Sequence, residues 1–286
     1  MTYTDGSRDE GRWEKGQLVE VVRHQPAEIA QEQGTSYPPS ASAMVKPSGK
    51  YHAVIIGIND YDHLPSLETA VNDARAVDRV LREKYRFTTQ LLIDPGRDRI
   101  MRALNRIRSK LGPEDHLLIY YAGHGQFDPA VDKAYWLPAD AQSDEDTKWI
   151  IVDNITTNIK RARAKHVLVV ADSCYSGTMT RDIKIRFDRD DDKKRYLTKM
   201  LRKSSRTLMA SGGNEPVSDS GGGGHSIFAR AFLDGLRNPG MMVFTAEQFF
   251  HEHVKERVGG NAAQVPEYSV IRMSGHNGGD FVFIKK

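Results

Sequence analysis

Four apolar runs, separated by stretches with helical spacing, restrict this chain to a narrow set of folds. YHAVIIGI (51–58), FTTQLLID (87–94), HLLIYYA (116–122) and HVLVVAD (166–172) are nearly continuous in apolar residues rather than alternating. A strand with one wet face alternates, whereas a strand covered on both faces does not. Between the first two runs, Ala70, Val71, Ala74, Val77, Val80 and Leu81 fall near helical spacing. Ile100, Met101, Leu104, Ile107 and Leu111 line one side of a second helix over 97–111. A third helix is expected around 153–163. Further on come a strand at TLMAS (207–211), helices over 227–236 and 246–258, and a final strand at FVFIK. The pattern predicts an α/β fold with a mostly parallel sheet and helices on both faces. Function in such sheets collects beyond the carboxyl ends of the strands.

The first 50 residues have a different character. They carry charge and turn formers and end in GTSYPPSASAMVKPSGK, a linker-like composition, with LVEVVR (18–23) as a single short strand. The expected division is therefore an N-terminal extension and linker, 1–50, acting as a pro-segment, and a main domain, 51–286.

Charge and apolar content narrow the partners. The chain has 41 basic and 38 acidic residues, a balance that argues against nucleic acid as a partner. No apolar run approaches the ~20 residues of a membrane helix, and MTYTDGSRDEGRWEKG has no secretory core. A single cysteine leaves no internal disulfide, and a cytoplasmic location is the expectation.

That one cysteine, Cys174, lies two residues beyond HVLVVAD, and His124 lies two residues beyond HLLIYYA in the turn AGHG. A lone cysteine at the end of an apolar strand is usually a small buried hydrophobe. A lone histidine in a glycine-rich turn is commonly structural. If the two strands are neighbours, however, imidazole and thiol leave one sheet edge together, and a histidine beside a thiol can activate it as a nucleophile. The backbone N–H groups of Gly125 and Cys174 would then be donors for an oxyanion.

YYAGHG (120–125) together with DSCYSG (172–177) resembles the paired motifs of caspase-like cysteine peptidases, nearest the metacaspase and bacterial caspase-homologue branch. The 50-residue separation of His124 and Cys174 matches the caspase spacing. VIIGINDYDHLPSLETAVNDARAVDRVL (54–81) is similar to the family's opening strand and helix, and GHSIFARAFLDGL (224–236) to its small-subunit helix. Tyr175 stands where metacaspases commonly have histidine, and Ala122 where they commonly have serine.

The resemblance implies a caspase-like three-layer sandwich around a six-stranded sheet. It divides the main domain into a large-subunit-like part (51–180), a basic intersubunit linker (181–206) and a small-subunit-like part (207–286). It assigns His124 as general base and Cys174 as nucleophile of a cysteine endopeptidase performing regulated limited proteolysis, in settings such as cell death or defence. A catalytically silent scaffold on the same fold is the alternative. By the same resemblance Asp73 and Asp172 form the floor of the pocket for the residue before the cut. Two carboxylates there favour Arg or Lys in protein or peptide substrates. An upstream activator or regulatory partner is a further expectation. The chemistry requires no cofactor. Calcium, as an activator, would use the partial aspartate match Asp140, Asp153 and Asp182, with Asn154 replacing one carboxylate. Self-processing of a zymogen is expected after Arg181, Arg186, Arg189, Lys193, Lys194 or Arg195. SGGGGHS (220–226) reads as a loop walling the cleft.

Overall fold

The structure is a computed structural model that describes residues 8–14, 17–25, 48–173, 190–212, 223–261 and 265–286; in the first two segments and at 190–192 it describes the backbone alone. Two compact units emerge, Met1–Ser40 and Ala41–Lys286. In the first, β1 (Arg8–Glu14) pairs antiparallel with β2 (Gln17–Gln25), with register irregularities at Glu10/Gly11 and Arg12/Trp13. The single strand expected over 18–23 is thus half of a hairpin. Its partner RDEGRWE has no apolar alternation, so the sequence pattern hides it.

The second unit begins with β3 (Tyr51–Gly57), α1 (Ala70–Tyr85), β4 (Thr88–Ile93), α2 (Arg97–Lys110) and β5 (His116–Ala122). A small sheet of β6 (Gly125–Asp128), β7 (Lys133–Trp136) and β8 (Ile150–Ile151) follows, then α3 (Val152–Arg161) and β9 (His166–Asp172). Next come α4 (Asp190–Arg202), β10 (Ser205–Ala210) and α5 (Ile227–Arg237). The chain closes with β11 (Val243–Thr245), α6 (Ala246–Phe249), a π-helical turn (Phe250–Lys255), α7 (Glu256–Gly259), β12 (Glu267–Val270) and β13 (Val282–Ile284). No helix among the described residues is long and apolar enough to cross a membrane.

The main sheet has six strands in the order β12-β10-β9-β5-β3-β4, all parallel except β12. Its sixth strand is β12, a four-residue segment with weak apolar content that sequence reading overlooks. The final strand β13 pairs instead with β11, outside that sheet.

Every residue of β5 and β9 is buried, which explains their unbroken apolar runs. Alternate residues supply two separate cores. Leu118, Tyr120, Leu168 and Val170 pack with Ala74, Val77 and Leu81 of α1 and Phe228 and Phe232 of α5. Leu117, Ile119, Tyr121, Val167 and Val169 pack with Ile100 and Leu104 of α2 and Ile155 and Ile159 of α3. Each Val, Leu, Ile or Phe among them contributes roughly 1.5–3 kcal/mol by leaving water. Helices on both faces are therefore held by the same strands that deliver the site.

From β3 the chain first goes to β4 on one side and then to β5 on the other. The strand order reverses between β3 and β5, and it is beyond such a switch point that open α/β sheets place their ligand crevice.

Candidate active site

The parallel register of β5 and β9 sets Ala122 opposite Asp172. Both strands therefore end at one level of one sheet edge. Gly123 ties the ends together by donating its N–H to the Asp172 carbonyl at 3.3 Å. His124 is the next residue on one side, and the chain runs through Ser173 to Cys174 on the other. Cys174 itself lies outside the described residues, as do Asp182, Arg181, Arg186 and Arg189.

His124 is fixed by the loop that follows β3. Its Nε2 lies 2.8 Å from the Pro65 carbonyl, and its own N–H donates to Tyr61 Oη at 2.7 Å. The Tyr61 ring leans on the imidazole with centroids 4.8 Å apart. A carbonyl only accepts, so this bond places the proton on Nε2 and leaves a lone pair on Nδ1. Asp94 and Asn59 brace the loop: Asp94 Oδ1 accepts from the N–H groups of Asn59 and Asp60, and Asn59 Oδ1 accepts from Val71 N–H.

Tyr121, stacked on Trp136 with centroids 4.3 Å apart, shares its O–H between the carbonyls of His124 and Leu137. A Cβ on Gly123 would lie 2.8 Å from Tyr61 Oη and 2.9 Å from Tyr121 Oη, so a larger residue would have to push aside the two hydroxyls that hold His124. Leu137 N–H donates to the His124 carbonyl at 3.0 Å. That bond extends the β6–β7 register by one residue, with the His124 N–H turned to Tyr61 instead of the Leu137 carbonyl. The adjacent pair Gly125/Trp136 is then of the unbonded kind, and the Gly125 N–H points out of the ladder.

Asp73, on α1, and Asp172, at the end of β9, are buried to 1% and 5% exposure. Residues absent from the sequence reading as site members join them. Ser226 donates its hydroxyl to Asp172 Oδ2 at 2.5 Å and its N–H to Asp73 Oδ2 at 3.2 Å. His225 Nδ1 lies 2.5 Å from Asp73 Oδ1, and Asn72 holds the Gly224 carbonyl. Burial, reinforced by Arg237, lowers the His225 pKa below its ordinary value. The loop read as a cleft wall is, over 223–226, docked on α1. One signal for Ser226 was legible: a serine immediately before an apolar helical run is a helix N-cap. Tyr61 and Pro65 stand in the quoted segment DYDHLP, but nothing local says that they touch a histidine 59 or more residues away.

The described aspartates of the calcium set are otherwise engaged. Asp140 Oδ1 accepts from Arg97 N–H at the start of α2, and its Oδ2 lies 3.4 Å from Lys148. Asp153 pairs with Lys133 at 2.6 Å. Among the described residues no three His, Cys, Asp or Glu side chains gather as a metal site. Asp140 and Asp153 are thus each paired with a lysine, and Asp182 lies outside the described residues.

Lys193, Lys194 and Arg195 stand near the start of α4, where the Lys194 carbonyl accepts from Thr198 Oγ1. Proteases favour exposed loop segments over helical turns, so these three are poor cut sites while α4 is intact.

Comparison with known proteins follows the geometry. The family model described as a caspase domain, Peptidase_C14, matches residues 50–275. Metacaspase-1 of Pyricularia oryzae is 28% identical over 179 residues, covering 54% of this chain and 44% of that protein. Metacaspase-1A of Neurospora crassa is 26% identical over 205 residues, 64% of this chain and 44% of its own length. Metacaspase-4 of Arabidopsis thaliana is 29% identical over 154 residues, 46% of this chain and 34% of the relative. The chain thus spans less than half the length of these curated relatives. Among solved structures, the Drosophila initiator caspase Dronc superposes with a TM-score of 0.58 at 10% identity, covering 83% of this chain and 84% of that one. A protein of Geobacter sulfurreducens gives 0.54 at 18% identity, covering 80% and 97%. At such identities the two structures speak for the fold alone.

Proposed function

Because the chain belongs to the caspase-domain family, we propose that it is a cysteine endopeptidase with a Cys174–His124 dyad that cuts proteins or peptides after Arg or Lys. The observation that carries this reading is the level, tied ending of β5 and β9, together with the Nε2 bond that leaves His124 Nδ1 free to take a proton.

In the proposed reaction, Nδ1 accepts the Sγ proton and the thiolate attacks the scissile carbonyl carbon. The new oxyanion receives the N–H groups of Gly125 and Cys174. Collapse breaks the C–N bond, and Nδ1–H passes its proton to the leaving amine. Water, deprotonated by the same Nδ1, then hydrolyses the thioester and restores the thiol. Asp73 and Asp172 receive the guanidinium or ammonium of the residue before the cut. This scheme needs no cofactor; calcium enters as an activator, to be tested by adding it.

Self-processing belongs to the proposal as well. Of the basic residues in the linker, Arg181, Arg186 and Arg189 precede α4 in sequence and are the preferred cuts, ahead of Lys193, Lys194 and Arg195.

The test is incubation of the purified chain and of Cys174→Ala with fluorogenic Arg, Lys and Asp peptides, with and without calcium, followed by mapping of new termini. Arg or Lys hydrolysis that is lost in Cys174→Ala supports the proposal. Equal hydrolysis by Cys174→Ala, or preference for the Asp peptide, overturns it. A folded chain that cleaves nothing favours the silent scaffold.

A further inference from the structure

Asp73 and Asp172 come from α1 and β9, 153 and 54 residues from the one residue that grips both. Ser226 is 3% exposed and forms the N-cap of the 11-residue helix α5, where its Oγ accepts from Ala229 N–H at 2.9 Å. The same hydroxyl donates to Asp172 Oδ2 at 2.5 Å, and the Ser226 N–H donates to Asp73 Oδ2 at 3.2 Å.

Two carboxylates sharing a dry site ordinarily retain a proton between them, because each raises the other's pKa. Donors to the charged form act in the opposite sense. Ser226 supplies one such donor to each carboxylate, and the positive end of α5 favours negative charge there. A second, independent feature marks the same space. Tyr120 of β5 is fully buried, and its hydroxyl has no hydrogen-bond partner among the described residues. Burial first, then the fields of Asp73 and Asp172, hold that phenol well above its ordinary pKa, so it stays neutral. It offers a lone pair to one more N–H donor. Other neighbours among the described residues include Asn72 of α1 and His225 on Asp73, with Arg230, Asp234 and Arg237 of α5 acting on His225.

We propose that Ser226 is a positioning residue that keeps Asp73 and Asp172 ionised together, so that the pocket presents two negative charges to a guanidinium. This rests on the reading of Asp73 and Asp172 as the Arg/Lys pocket. The role is separable from helix capping, because glycine is itself a well-tolerated N-cap residue. Loss of a hydrogen bond to a charged group is the larger effect.

The test uses the full chain carrying Cys174→Ala, so that substrate binds without being cut. Binding of an acetylated peptide ending in arginine amide is measured by calorimetry from about pH 5 to about pH 8. Adding Ser226→Gly should weaken binding about tenfold near neutrality and move the acidic midpoint up by about one pH unit. Ser226→Thr should restore both. The shift should persist in a His225→Gln background, which removes the other titrating ring. Should the glycine variant fail to fold, Ser226→Cys, which keeps the size of the side chain but is a weak donor, carries the same prediction. An unchanged midpoint in Ser226→Gly, or uniform weakening at all pH values, overturns the inference while Asp172→Asn still abolishes binding. A parent chain that does not bind the peptide, or an Asp172→Asn chain that binds as the parent does, overturns the pocket reading and this inference with it.

Discussion

Strand β5 begins with one histidine and is followed by another, and the two ends use the same imidazole chemistry for opposite purposes. His116 Nε2 lies 3.1 Å from the Ser48 carbonyl, and His124 Nε2 lies 2.8 Å from the Pro65 carbonyl. Both rings are thereby held with Nδ1 unprotonated. At the start of the strand, His116 is stacked between Tyr51 (4.2 Å) and His166 (5.0 Å), and it is 1% exposed. Burial lowers its pKa to about 4 and that of His166 to about 3. At the other end, His124 is half-buried beside the crevice. Tautomer alone therefore does not make a base. The two rings differ in exposure, and only the one at the carboxyl end of the sheet is reachable from solvent.

The sharpest test of this contrast removes the groups at the reactive end. Cys174→Ala or His124→Ala should each lower peptide hydrolysis by about 10⁴-fold, and the double variant should be no worse than either alone. Urea unfolding should barely change. A large stability loss in His124→Ala would erase the difference between the two ends.

The opposite end should respond to acid rather than to substrate. Both its histidines have folded pKa values below the ordinary 6.5, so the unfolded chain binds more protons below that pH. Stability is full above about pH 6.5 and falls as pH drops toward the folded values. Asp280, raised to about 6 by burial, works in the opposite sense over part of that window. The net loss between about pH 7 and about pH 4.5 should be on the order of 3 kcal/mol. Urea titrations of the Cys174→Ala chain would measure it, and a flat profile would break the comparison.

Within the reactive end, specificity should separate from chemistry. Asp172→Ala should reduce cleavage of Arg peptides about 100-fold, within the range for an unpaired charge in a dry site. Measured rates of thiol alkylation should stay near those of the unsubstituted chain; equal losses in both would mean that Asp172 only holds the strand end.

The smallest effect concerns the brace on His124. Tyr61→Phe removes the acceptor of the His124 N–H but keeps the ring. About a fivefold fall in kcat is expected, the usual worth of one hydrogen bond. No change would show that the Pro65 contact suffices.

The two ends also differed in how far they could be read in advance. His124 and Cys174 stood out because each follows a continuous apolar run, and that pattern reports burial on both faces. Asp73 and Asp172 were reached through the family motif, not through any local pattern. His116 and His166 gave no signal, since a histidine at a strand start reads like any polar boundary residue. The hairpin partner RDEGRWE and the strand EYSV were missed for a similar reason. Neither carries an apolar pattern, and both become strands only because a neighbour offers a free edge.

The sequence alone determined the alternation of buried strands and amphipathic helices, and with it a parallel sheet whose carboxyl edge carries a histidine and a cysteine. Local periodicity is enough for that, because it records which side chains must leave water. The tertiary structure alone decided that Ala122 lies opposite Asp172, that Pro65 selects the His124 tautomer, and that Ser226 clasps Asp73 and Asp172. Those facts depend on hydrogen bonds between residues 50 or more positions apart. Their geometry is fixed by strand order and register, which no short stretch of sequence encodes.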